Sequence, residues 1–151
     1  MICLIPFIFD ESGEMMHKAR IRHLIGVPPK HGAYVLYWMQ QAQRTECNHA
    51  LAFAVQTADE LALPIVVGFV LTPDFPEANF RHYKFMLEGI ADVQASLEKV
   101  DIPFVILAGE MTASVVRLAK EAAWVVTDVG YLRIQRQWRE SVANAIYCPF
   151  T

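Results

Sequence analysis

Few positions in this chain combine a charged side chain with a place where a ligand could meet it. Arg44 and Asp128 are the foremost, because each follows a short apolar run that reads as a buried strand. In an open α/β sheet, ligands bind outside the carboxyl ends of the strands. A guanidinium at residue 44 can clamp a phosphate or carboxylate through parallel hydrogen bonds, or it can be an ordinary surface charge. A carboxylate at residue 128 can hold a ligand or cap the helix that follows it. Met39, Leu71 and Phe75 end or follow the same runs with apolar walls, and Gln43 adds a polar group. Together Met39, Gln43, Arg44, Leu71, Phe75 and Asp128 make one candidate ligand site, apolar walls with a few orienting polar groups.

Other chemistries are missing their signatures. The turn after the first strand reads QQAQRTECN, without the glycines that let backbone approach a pyrophosphate. There is no GxxxxGK[ST] loop, no HExxH and no GxSxG elbow. Cys3, Cys47 and Cys148 are odd in number and far apart, which points to free thiols in a reducing compartment. Cys47 and His49 lack a second pair at ligand spacing, so no metal is expected. A net charge of −3 predicts no generic affinity for nucleic acid. Charge is nonetheless uneven: residues 15–45 hold Lys18, Arg20, Arg22, Lys30 and Arg44 and no carboxylate. That basic face is either solvated or docked on its own fold, or it is an anion site.

The elements that must position these groups follow from the apolar pattern. With 151 residues, 54% hydrophobic and 19% charged, one domain can bury a sizeable core. Continuous apolar runs at 34–39, 65–71, 104–108 and 124–128 read as buried parallel strands. Between and after them, 45–63, 80–100, 112–122 and 131–146 read as amphipathic helices, the third with Thr112 as N-cap. Pro64 and Pro103 stop helices just ahead of strands. The β-α-β-α order predicts an α/β fold: a doubly wound, mainly parallel, Rossmann-like sheet of four to five strands with helices on both faces. Tyr37, Trp38 and Trp124 are expected in the core, Gly89 at a close helix–sheet contact, and 147–151 as the stub of a fifth strand. Residues 1–14 form a leader, read as a short extra strand or the product of an early start codon. Its apolar run is too short to span a bilayer and has no basic residue before it, so a soluble cytoplasmic protein is expected, with no membrane partner.

Three stretches carry a resemblance. YVLYWMQQAQRTECNHAL (34–51), FRHYKFMLEGIADVQ (80–94) and VVTDVGYLRIQRQW (125–138) resemble, in register, the amino-terminal α/β domain of class II cyclobutane pyrimidine dimer photolyases, members of the photolyase/cryptochrome family. The resemblance covers about residues 16–151 and leaves only the leader outside it. It implies a light-driven DNA repair enzyme whose FAD and damaged DNA are held by a helical domain that has no counterpart here. This chain alone is then incapable of repair, has no catalytic residue of its own, and keeps at most an antenna chromophore of deazaflavin or folate type at the site named above. Asn48, Arg81, His82 and Glu88 become candidates for the interface with the helical domain. Asn48 also reads as a cap near a helix start, and His82 as a structural histidine. Arg133, Arg136 and Arg139 share a helix face that is solvated by default and that could lie near DNA in the complete enzyme.

Two readings compete with this one: a stand-alone nucleotide-binding α/β protein, and a non-catalytic module that docks on a separately encoded helical partner. The first should show a glycine-rich phosphate turn near the fourth strand, where Gly130 stands alone in Asp128–Tyr131. A half separated from its partner is also expected to self-associate through apolar residues such as Phe7, Phe75, Phe80, Tyr147 and Phe150.

Overall fold

The computed structural model describes residues 18–73 and 75–151. The leader, with Cys3 and Phe7, lies outside the described residues. After a 3₁₀ turn at Lys18–Arg20 the elements alternate: β1 (Tyr34–Met39), α1 (His49–Leu61), β2 (Ile65–Leu71), α2 (Phe80–Glu98), β3 (Phe104–Ala108), α3 (Met111–Ala119), β4 (Ala122–Thr127) and α4 (Arg133–Ala143). The strands pair in parallel in the order β3-β2-β1-β4. The expected doubly wound α/β sheet is therefore the fold. No described helix is long and apolar enough to cross a membrane.

β1 is apolar without interruption because both of its faces are covered. Val35, Tyr37 and Met39 join Val67 and Val126 under α1 and α2, packed with Leu51, Ala54, Val93 and Leu97. Leu36 and Trp38 point the other way, into a second cluster with Val115, Ala119, Val142 and Phe150. The period-2 alternation of a strand thus divides one sequence between two cores.

Helix boundaries differ from the periodic pattern where capping decides them. α1 begins four residues later than the pattern, at His49, because Asn48 takes the N-cap and its side chain accepts from the Leu51 N–H. Cys47, inside the expected helical stretch 45–63, lies ahead of the helix, exposed, with φ 48°. α3 is capped by Glu110, whose carboxylate accepts from the N–H groups of Thr112 and Ala113, so Thr112 is the second helical residue rather than the cap. Lys30 reaches the other end of α3, donating to the carbonyls of Ala119 (3.2 Å) and Lys120 (2.8 Å), where a cation suits the helix dipole. At least this part of the basic segment docks on its own fold. Gly89 is exposed on α2 and a Cβ there would meet nothing within 4 Å, so the close packing expected of it is absent. Gly32 is constrained by backbone: its Cβ would collide with Ala122 and Ala123 at the start of β4.

The terminal stub is better satisfied than an unfinished strand. Val125 N–H donates to the Pro149 carbonyl (2.9 Å), Thr151 N–H to that of Val125 (3.0 Å) and Thr127 N–H to that of Thr151 (2.8 Å). On its other side Phe150 exchanges bonds with Ile25 and accepts from the Leu24 N–H. Phe150 is fully buried and stacks on Trp38 with ring centroids 6.2 Å apart, so it is a core residue and not a sticky edge. Tyr147 and Phe80 do stand out, at 89% and 80% exposure.

Hydrogen bonds from Ala113 and Thr112 hold the Glu110 carboxyl below its usual pKa. Its stabilisation is therefore present above the ordinary glutamate value and is lost as pH falls through the depressed one. Replacing Glu110 by Ala should cost about 1 kcal/mol near neutral pH, shrinking towards zero in acid. Urea unfolding of both proteins along a pH series measures it.

Candidate functional site

The site is built around the turn that follows β1. Backbone N–H groups of three consecutive residues converge on the carboxylate of Asp128: Gln40 on Oδ1 at 2.8 Å, Gln41 on Oδ2 at 2.6 Å and Ala42 on Oδ2 at 2.8 Å. Asp128 comes directly after β4, beside β1, where the strand order reverses and α/β sheets open to ligands. In dinucleotide-binding sheets the backbone of this turn meets a phosphate. Here the chain's own carboxylate occupies the converging N–H groups. Asp128 is therefore neither the cap of α4 nor a free ligand group; it is an internal anion that shapes the β1–α1 turn.

Two buried side chains complete the latch. The Tyr37 hydroxyl lies 3.3 Å from Asp128 Oδ1 and 3.4 Å from Asn48 Oδ1. Burial and then the charge of Asp128 push its ionisation far up, so the phenol stays a neutral donor. Asn48 Nδ2 donates to the Tyr37 hydroxyl (3.1 Å) and to the carbonyls of Ala42 (3.1 Å) and Arg44 (2.8 Å). Asn48 is buried and its polar atoms are spent inside the turn. Arg44 is exposed and donates to the Cys47 carbonyl at 3.3 Å, which ties down the residue with left-handed backbone.

Beside this turn a cleft of about 350 Å³ opens over the carboxyl ends of β1 and β2. Met39, Gln43, Leu71 and Phe75 line it, bringing together four of the six expected residues, whereas Arg44 and Asp128 stand outside its lining. Its further walls are Tyr83 and Met86 of α2, Met111 of α3 and Trp138 of α4. The Tyr83 hydroxyl donates to the Thr72 carbonyl (2.8 Å), pinning the loop after β2. Across the opening Phe75 and Trp138 tilt against each other at 58° with centroids 6.0 Å apart. His82 also lines the cleft, and its Nδ1 accepts from the Asn79 N–H at 3.1 Å in a capping box. A histidine in the first turn is thereby accounted for as an acceptor. Arg81 is exposed on the same turn, and Glu88 makes an exposed pair with Lys84 at 4.0 Å, a contact of little energetic weight.

The most informative group is one the sequence pattern did not single out. Gln40 is 8% exposed, lines the cleft, and among the described residues neither its Oε1 nor its Nε2 has a hydrogen-bond partner. Leaving a buried amide unpaired costs about 1–3 kcal/mol, so a native structure that does so calls for an explanation. A signal was present: Gln40 continues the alternation of Leu36 and Trp38, a polar residue in phase with a buried face.

Replacing Asp128 by Ala would strand three backbone donors and should lower stability by about 2–3 kcal/mol or more. Asp128→Asn should recover part of it, since one oxygen remains to accept. Urea unfolding checks both, and equal stability of the Ala variant and the parent would contradict the latch.

Comparison with known proteins agrees with this architecture. Residues 35–149 match the family model described as DNA photolyase. A deoxyribodipyrimidine photo-lyase of Methanothermobacter thermautotrophicus is 44% identical over 138 residues, 91% of this chain and 31% of that protein. One from Potorous tridactylus is 36% identical over 114 residues, 74% of this chain and 21% of its own length. The chain thus spans less than a third of the length of these relatives. Among solved structures, a universal stress family protein from Burkholderia pseudomallei superposes with TM-score 0.52 at 17% identity, covering 82% of this chain and 96% of that one. That likeness concerns the fold alone. The sheet, the latch and the cleft just described are those of a chain that belongs to the DNA photolyase family.

Proposed function

We propose that this chain is the α/β portion of a class II-type cyclobutane pyrimidine dimer photolyase, and that the cleft beside Gln40 holds an antenna chromophore of deazaflavin or folate type. The observation that carries this reading is the unpaired Gln40 amide in an apolar cleft. An amide offers a donor and an acceptor side by side, which matches the N–H and C=O of a lactam edge such as both pigment types present. Phe75, Trp138, Met39 and Met86 supply stacking and polarizable walls, and Gln43 a second polar contact. At about 350 Å³ the space lies at the lower end of ligand pockets and suits one planar ring system. Such a pigment, when bound, absorbs light and passes the excitation on; the residues here orient it and exclude water.

The class assignment rests on the three quoted stretches, which supply β1 and its turn, most of α2, and the passage from β4 into α4. All three border the cleft or the latch. FAD, the lesion and the repair step belong, on this reading, to a helical domain outside this chain. Contact with it is assigned to exposed apolar positions including Phe80, Phe85 and Tyr147, at 80%, 80% and 89% exposure. The stand-alone nucleotide-binding reading loses ground because Asp128 takes the backbone donors a phosphate would need.

Titration with a deazaflavin and with a folate, followed by fluorescence, tests the site. Gln40→Leu should weaken binding by about tenfold, the worth of a hydrogen-bonded amide, while Arg44→Ala leaves it unchanged. Equal affinities for the parent and Gln40→Leu would refute the assignment. The chain alone should show no light-dependent repair and no stoichiometric flavin. Sedimentation should show self-association that Phe85→Ser with Tyr147→Ser reduces.

A further inference from the structure

On the other side of α4 from the pigment cleft lies a second, smaller one of about 150 Å³, bordered by Arg22, Arg136 and Arg139. Gln135 and Trp138 face the first cleft while Arg136 and Arg139 face this one, so the helix separates two distinct spaces. Arg22 comes from the segment ahead of β1, held in place where the Leu24 N–H donates to the Phe150 carbonyl at 2.7 Å. Two remote stretches of sequence are thus brought to one opening.

Three guanidiniums around so small a space repel one another unless an anion balances them. Among the described residues none of the three is paired within 4.0 Å, and the charges of Asp128 and Glu140 act on Arg139 only from further away. Among the described residues the ion pair found within 4.0 Å is Lys84–Glu88, and it involves none of the three. Glu140 borders the cleft without reaching an arginine at that distance. Both Asp128 oxygens are committed to the β1 turn. Arg139 is the most constrained of the three: its Nη1 is buried and has no partner among the described residues. Burial lowers its pKa first, the charges of Asp128 and, more weakly, Glu140 pull the other way, and Arg136 and Arg22 lower it further. A guanidinium nevertheless keeps its proton, so the site stays cationic. The hydroxyls nearby are taken. Thr127 Oγ1 donates to the Trp38 carbonyl (2.8 Å), and Thr151 Oγ1 bonds to Trp124 Nε1 (3.1 Å) and His23 Nδ1 (2.9 Å).

We propose that Arg22, Arg136 and Arg139 form a binding site for a phosphate group, separate from the pigment cleft. A tetrahedral oxyanion has enough acceptor oxygens to meet several guanidinium forks at once, which a halide cannot do and a carboxylate does less completely. The space is large enough for one such group. The phosphate is either free, as inorganic phosphate or the end of a phosphomonoester, or part of a nucleic-acid backbone; the chemistry of recognition is shared.

Calorimetric titration of the 151-residue chain with inorganic phosphate tests the site, with acetate and chloride at matched ionic strength as comparisons. Phosphate should saturate a single site, and Arg139→Gln should weaken it by about tenfold or more through the lost charge-assisted bonds. Arg22→Gln should act in the same direction, and because Arg22 is exposed on a different segment it keeps the test intact if Arg139→Gln misfolds. Arg117→Gln, on α3, should change nothing. A DNA duplex that displaces phosphate identifies the backbone as the source, and one that does not identifies the free or terminal group. No saturable phosphate binding, acetate binding as tight as phosphate, or equal affinity in both arginine variants and the parent would overturn the proposal. None of these outcomes depends on the pigment site.

Discussion

A single carboxylate organises the working edge of this protein. By accepting three backbone N–H groups of the β1–α1 turn, Asp128 joins the end of β4 to the exit of β1 at the point where the sheet reverses its strand order. Such bonds, with an ionised acceptor and partial shielding from water, are among the stronger ones available to a chain. They set the path of residues 40–48, and that path carries Gln40 into the cleft, Asn48 to the cap of α1 and Arg44 outward. A glycine-rich turn reaches for a phosphate because nothing in its own chain fills it; this turn needs no glycine because its anion is built in.

The consequence is a division of labour along the sheet edge. With the switch point filled, the open space is displaced towards β2 and α2, where the loop after β2 is pinned by Tyr83 and walled by Phe75 and Trp138. The cationic cleft lies beyond α4 on the outer side of β4. α4 stands between them with glutamine and tryptophan on one side and arginines on the other. A short helix with a polar majority thereby serves two environments, and of its residues Val142 and Gln135 are buried.

The closure of the β4 edge depends on a few residues far apart in sequence. Phe150 fills the core against Trp38, and its backbone is shared between β4 and Ile25. Covering an edge in this way removes unpaired N–H and C=O groups that would otherwise recruit another chain. It also places Arg22 and Thr151 at one opening, so the edge cover and the cationic cleft are parts of the same construction.

The strand runs, the helix periodicity and the prolines made the parallel sheet legible from the amino-acid order alone, since burial on both faces demands uninterrupted apolar residues and crossovers demand amphipathic helices. The family was legible too, from three stretches whose residues border one cleft. Helix starts were less so: whether Thr112 or Glu110 caps α3 turns on which side chain can reach free N–H groups. Four of the six residues expected at the strand ends line the cleft, because the ends of parallel strands must lie together. What only the tertiary structure decided is the partner of each polar group. Asp128 and Gln40 are both polar residues at a strand end, yet one is engaged by backbone 88 residues away in the chain and the side chain of the other has no partner among the described residues. Hydrogen-bond satisfaction is a property of spatial neighbours, and no local pattern of residue types records who those neighbours are.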